Sequence, residues 1–122
     1  LIIKKLANDF HPKVNIVACP TIRESNGLAM SSRNKRLKQF EIKSASKILK
    51  TLIYCKEKYH STKIEELEKL CFKKLLAFSK PEYFKILSSS NLSQVKDANE
   101  KCRAFAATKI GDVRLIDNLA LN

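Results

Sequence analysis

Ser31, Ser32 and Arg33 stand side by side in the stretch "NGLAMSSRN", Asn26 to Asn34. Two adjacent hydroxyls and a guanidinium form a donor set that suits an anion with several oxygens, phosphate above all. A loop adds backbone N–H groups to that set. Gly27, one of only 2 glycines in the chain, permits a positive φ or a close approach of backbone to a bound group. The segment lies shortly before a predicted helix, whose amino end favours negative charge. Together these are the parts of a mobile phosphate clamp. The same residue types also cap and solvate the start of a helix, and residue types alone leave both uses open.

Other candidate chemistry is thinner. The four cysteines, Cys19, Cys55, Cys71 and Cys102, form no C-x-x-C pair, and His11 and His60 are far apart. That spacing predicts no metal site. Several of the cysteines fall on apolar faces of predicted elements, as reduced, buried thiols of a cytoplasmic protein do. Asp117, beside Arg114 on a predicted strand, reads as an ion-pair or hydrogen-bonding residue of the structure and not as a catalytic acid. Arg23 reads equally as a nucleotide contact or as a loop anchor, through a salt bridge to Glu24 or to a neighbouring strand.

The chain has 122 residues, 44% hydrophobic and 30% charged, which suggests one domain with a modest core. A formal net charge of +12, from 24 basic and 12 acidic residues, favours an anionic partner: nucleic acid, an acidic membrane or a phosphorylated ligand. The excess is mostly lysine, spread along amphipathic segments. No zinc-finger spacing, RNA-binding signature or basic block concentrates it. No apolar run approaches a membrane span. The expectation is therefore neither a nucleic-acid nor a membrane partner, with a basic nucleic-acid- or polyanion-binding module as the alternative function.

The elements that must position these residues follow from periodicity. "LIIKKLANDF" places Ile2, Ile3, Leu6 and Phe10 near one helical face, and Pro12 ends that helix. Val14 to Cys19 is a β-branched apolar run, read as a strand buried on both faces. Pro20 to Lys38 is a loop region. A long helix is predicted from Gln39 to Tyr59, with Ile42, Ala45, Leu49 and Leu52 inward and Lys43, Lys47 and Lys50 outward. Thr62 and Glu65 form a T-x-x-E capping box for a second helix, Lys63 to Phe78, with Ile64, Leu67, Leu70, Cys71, Leu75 and Phe78 on its apolar face. The short break makes the two helices antiparallel neighbours. "PEYFKIL" reads as an edge strand and "SSSNLSQ" as a turn-forming stretch. "CRAFAATKI" and "VRLIDN" form a hairpin with a type II′ turn at Gly111-Asp112. The fold class is α+β: a helical pair packed on a small, about three-stranded antiparallel sheet.

"PTIRESNGLAMSSRNKRL" resembles the segment P-x-x-R-x-x-D-G-L-A-M-S-S-R-N of the pantoate–β-alanine ligases. "GDVRLIDNLAL" resembles the G-x-x-R-L-I-D-N near that family's carboxyl end. The resemblance implies an ATP-dependent ligase of pantothenate biosynthesis. ATP, as its Mg2+ complex, activates pantoate to pantoyl adenylate with release of pyrophosphate, and the amine of β-alanine then displaces AMP. It implies that Met30, Ser31, Ser32 and Arg33 bind the ATP phosphates, with Arg33 clamping the transition state, and that the backbone of Ile22 meets the adenine. It implies a cytoplasmic homodimer in the full-length enzyme and no tightly bound cofactor.

The family's H-x-G-H and K-D-x-Q motifs do not occur here. The resemblance therefore implies that residues 1–20 are the tail of a truncated Rossmann-like nucleotidyltransferase domain, keeping its last helix and strand, and that residues 21–122 are the C-terminal lid domain, inactive alone. Three departures stand out. Asn26 replaces the usual Asp, which puts any ion pair there in doubt. Lys38 replaces a small capping residue, and "LSSSNL" is more polar than its counterpart.

Overall fold

The computed structural model describes residues 1–95 and 100–122. Four helices are arranged as α1 (Ile2–Phe10), α2 (Gln39–Ala45), α3 (Lys47–Lys58) and α4 (Ile64–Leu76), with a 3-10 turn at Ser32–Arg36 ahead of α2. Three strands follow: β1 (Lys80–Ser88), β2 (Cys102–Ile110) and β3 (Val113–Ala120). They form one antiparallel sheet in the order β1-β2-β3. This is the expected α+β class, with helices packed on a three-stranded sheet.

The strands form where period-2 alternation meets turn chemistry. On β2, Cys102, Ala104, Ala106, Thr108 and Ile110 are buried, and they face buried partners on both sides: Phe84 and Ile86 of β1, Val113 and Leu115 of β3. Alanines at the centre of that face leave room for α3 and α4 to approach the sheet, and larger side chains from the helices fill the space. Gly111 opens the hairpin turn with φ +54, while Asp112 keeps a negative φ, the combination that a type II′ turn requires. A Cβ on Gly111 would lie 2.3 Å from a carboxylate oxygen of Glu41. The hairpin tip thus sits tightly against the start of α2.

The long predicted helix is two helices. Ser46 separates α2 from α3 while keeping helical angles, φ −61 and ψ −18. Its N–H bonds to both the Ile42 and Ser44 carbonyls, and its hydroxyl donates to Lys43 O at 3.0 Å. A side chain that competes for helix carbonyls bends a helix at that point. The inward stripe survives in part: Ala45 and Leu52 are buried, Ile42 and Leu49 are half-buried, Ile48 and Cys55 are buried beside them, and Lys43, Lys47 and Lys50 are exposed. The predicted Thr62 cap does not form; Lys63 occupies the N-cap position without a side-chain bond. On α4, Leu67, Cys71 and Leu75 are buried, whereas Leu70 is exposed. Antiparallel packing of α3 on α4 holds. Lys47 lies over the Phe78 ring, Lys74 lies 4.0 Å from the Tyr54 ring centroid, and Cys55 meets Cys71, so residue numbers rise on one helix as they fall on the other.

The first twenty residues depart further from expectation. α1 forms and ends before Pro12, but Ile2, Ile3, Leu6 and Phe10 are exposed and only Ala7 is buried. Val14 to Cys19 forms no strand; it runs irregularly, exposed except at Ile16. A two-face apolar strand needs a paired neighbour, and among the described residues none pairs with it. One free edge of the sheet is already covered: Glu68 of α4 accepts the Ile86 N–H of β1 at 2.8 Å and pairs with Lys85 at 2.9 Å, which blocks strand addition there.

Leu52 is 0% exposed and its neighbour Ile53 is 42% exposed on the same helix. Leu52→Ala should lower unfolding free energy by about 2–5 kcal/mol. Ile53→Ala should stay within about 0.5 kcal/mol of the parent. Urea titration of both variants checks this, and equal losses would mean that α3 is not docked as described.

Candidate functional site

The segment Pro20–Lys38 carries a small internal architecture, not the open loop that its composition suggests. Arg23 and Ala29 form an antiparallel bridge, with the Met30 N–H donating to Ile22 O at 3.0 Å and the Glu24 N–H donating to Leu28 O at 2.9 Å. The reversal is made at Asn26-Gly27. The Asn26 side-chain oxygen accepts the Leu28 N–H at 2.9 Å, an Asx turn, and Gly27 takes φ +88, a conformation that side chains avoid. Immediately after Met30, Ser31 turns the chain into the 3-10 turn, its oxygen accepting the Arg33 N–H at 3.2 Å.

One tie fixes this segment to the sheet, and a second closes it on itself. Arg23 donates to both oxygens of Asp117 on β3, at 2.7 and 2.9 Å, and also to Gly27 O at 3.1 Å. Asn34 is buried; its amide nitrogen donates to Glu24 at 2.7 Å and to Ala29 O at 3.0 Å, while its side-chain oxygen is buried without a partner. Arg23 is therefore a loop anchor, and its partner is the neighbouring strand, not Glu24. Arg114 in turn pairs with Glu82 of β1 at 2.7 Å and leaves Asp117 to Arg23.

An open hollow of about 590 Å³ lies beside the segment, lined by Glu24, Met30, Ser31, Ser32, Asn34, Lys35 and Ile42. Of the residues singled out in the sequence, the structure brings Met30, Ser31 and Ser32 together on this hollow. Ile22 is exposed across the bridge from Met30, and Arg33 is exposed on the 3-10 turn outside the lining. Among the described residues the Arg33 guanidinium has no acceptor and the Ile22 N–H has no partner, so both are free to meet a ligand. Glu24, Lys35, Asn34 and Ile42 were not legible as site residues. Only the i, i+10 tie between Glu24 and Asn34 marks them, and sequence spacing carries no signal for it.

Cys55, Cys71 and Cys102 are buried free thiols, and Cys19 is exposed. The hydrogen bond with Cys71, and then burial, push the Cys55 thiol up, so it stays protonated. Among the described residues, no group of three or more His, Cys, Asp or Glu side chains converges as a metal site, and no helix is long and apolar enough to cross a membrane.

A family model described as pantoate-beta-alanine ligase matches residues 1–120. The chain belongs to the pantoate–β-alanine ligase family. It is 38% identical over 125 residues to the pantothenate synthetase of Thermodesulfovibrio yellowstonii and 36% identical over 120 residues to that of Ruthia magnifica, covering 98% of this chain in each case and 44% and 43% of the relatives. It thus spans less than half the length of these curated relatives. Among solved structures, pantothenate synthetase from Thermus thermophilus superimposes with a TM-score of 0.89 at 28% identity, over 98% of this chain and 45% of that one. The pantoate-beta-alanine ligase of Francisella tularensis, solved in complex with beta-gamma ATP and beta-alanine, matches with a TM-score of 0.66 at 34% identity, over 98% of this chain and 38% of that one.

The Asx turn shows what position 26 requires: the bond needs an acceptor oxygen, which Asn26 supplies and an Asp would supply equally. Asn26→Asp should leave stability within about 0.5 kcal/mol. Asn26→Ala should lose about 1 kcal/mol. Thermal unfolding of the two variants tests this; a large loss in Asn26→Asp would show that the amide nitrogen has a role of its own.

Proposed function

We propose that the chain is the C-terminal lid portion of an ATP-dependent ligase that joins pantoate to β-alanine through pantoyl adenylate, with residues 1–20 belonging to the preceding nucleotidyltransferase domain and residues 21–122 forming the lid. The observation that carries this reading is the family match over residues 1–120, which includes the Met30–Arg33 segment beside an open hollow. The Francisella tularensis relative was solved with beta-gamma ATP and beta-alanine, which supports ATP as the substrate here; in this reading ATP enters as its magnesium complex.

In this reading the protein does little covalent chemistry. It positions the carboxylate of pantoate against the α-phosphate and stabilises charge that moves onto the departing pyrophosphate. Ser31 and Ser32 donate to phosphate oxygens. Arg33, free of protein partners, closes its guanidinium fork on them. Contacts that strengthen as the pyrophosphate leaves lower the barrier, and contacts equal in both states do not.

Arg33→Ala in the full-length ligase should slow adenylation by roughly 10²–10³-fold. Arg33→Lys should recover only part of that, because a point charge does not reproduce a two-pronged contact. The second step, started from supplied pantoyl adenylate, should change less, since pyrophosphate has already left. Single-turnover kinetics of each half-reaction decide it: equal losses in both steps would mean that Arg33 supports the fold instead.

The 122 residues contain neither H-x-G-H nor K-D-x-Q. The chain alone should release no AMP from ATP, pantoate and β-alanine, and release dependent on both acids would overturn the assignment of those sites to the other domain.

A further inference from the structure

We infer that Asp117 is a positioning residue for the Met30–Arg33 segment: from β3 it grips Arg23 and so makes the phosphate-facing segment a rigid part of the sheet-and-helix domain. This rests on the proposed role of Met30–Arg33 and deepens it.

The chain of contacts is continuous. The Asp117 side chain is 5% exposed and that of Arg23 is 19% exposed. Two parallel bonds of 2.7 and 2.9 Å join them, a geometry that fixes orientation as well as distance. The carboxylate also accepts the Asn118 N–H at 2.7 Å, and the guanidinium also holds Gly27 O at 3.1 Å. Arg23 stands opposite Ala29 in the bridge, one residue before Met30. Glu24, next to Arg23, accepts from Asn34, the residue that follows Arg33 in the 3-10 turn. Ser31, Ser32 and Arg33 are thus suspended between two ties, one at each end.

Asp117 does not line the hollow beside those residues, so it acts through Arg23. Ser32 and Arg33 are themselves exposed and contribute nothing to the core. Without the grip on Arg23, the segment keeps its local turns but loses its fixed place relative to β3. A reacting group displaced by about 1 Å forfeits roughly 10²-fold in rate. That loss belongs to the step in which phosphates are held. The amine attack on pantoyl adenylate does not use it.

The test uses the full-length ligase with Asp117→Asn, which keeps size and an acceptor oxygen but removes the charge and one prong. Arg23→Lys keeps the charge but removes the fork and the bond to Gly27, and it stands in if Asp117→Asn does not fold. Each variant is read by single-turnover kinetics of both half-reactions, by KM for ATP, and by hydrogen exchange of the 22–34 amides against those of β2 and β3. The expected result is adenylation slowed by up to about 10²-fold, a raised KM for ATP, the second step within about twofold of the parent, and faster exchange in 22–34 with the strands still protected. Unchanged half-reactions in a folded variant would overturn the inference, as would equal losses in both steps with strand protection gone. Arg33→Ala is run beside them. If it leaves adenylation intact, the phosphate reading itself fails; if it slows adenylation while Asp117→Asn and Arg23→Lys do not, only the positioning role fails.

Discussion

Arg23 and Asp117 are 94 residues apart in sequence and 2.7 Å apart in space. A largely buried ion pair is not a cheap device, because both charges lose water. Here that loss is offset by completeness. Both prongs of the guanidinium reach carboxylate oxygens, a third bond reaches Gly27 O, and the Asn118 N–H fills the carboxylate from behind. Removing either partner would strand the other, and breaking such pairs costs about 3–5 kcal/mol. The pair joins the segment Pro20–Lys38 to the last strand. Without it, the chain from Pro20 to Lys38 would meet the rest of the molecule mainly through Leu28, Asn34 and Leu37, which are buried.

That constraint has meaning only because β3 is itself fixed. Its inward residues Val113 and Leu115 join Phe84, Ile86, Ala104, Ala106 and Ile110 under α3 and α4. The core works by contrast of size: alanines from β2 against leucines and cysteines from the helices. Asp117 continues the same inward face, paired with Ala106 in the register. At that row β3 presents a carboxylate to Arg23, while Phe84 and Ala106 beside it remain in the apolar core. The polar tie thus occupies a position that the alternation of the strand assigns to the core, which is why it is buried and why it orients the loop so strictly.

How far the sequence could be read follows from the range of each interaction. Period-2 alternation and a Gly-Asp turn are local, so the three strands and the hairpin turn were legible. The apolar stripes of α3 and α4 were legible for the same reason. The break at Ser46 was not: the competing hydrogen bond to Lys43 O leaves no trace in the hydrophobic pattern. Thr62 and Glu65 fit a capping box by spacing, yet the helix begins one residue later, at Ile64, and the box goes unused. Val14 to Cys19 has the composition of a strand, but a strand is made by its neighbours and composition does not supply them. For the proposed site, Ser31, Ser32 and Arg33 are candidate donors by residue type. The residues that place them could not. Arg23 was legible as an anchor to an unspecified strand, and only the three-dimensional register identifies that strand's residue as Asp117. Glu24 and Asn34 are ordinary polar residues until the chain reversal at Asn26-Gly27 brings them within 2.7 Å.

The division between residues that meet a ligand and residues that hold them has a physical basis. In the proposed role, a donor that meets phosphate has to reach solvent, and Arg33 is exposed. A donor that must hold a loop has to be saturated and dry, as Arg23 is. The two arginines sit ten residues apart with the same side chain and opposite surroundings. What separates them is one carboxylate, supplied by β3. The carboxyl-terminal hairpin thus fixes the place of an exposed, serine- and arginine-bearing turn. In the proposed role, the composition of the turn sets which ligand it suits, and the register of β2 on β3 sets where the turn is held.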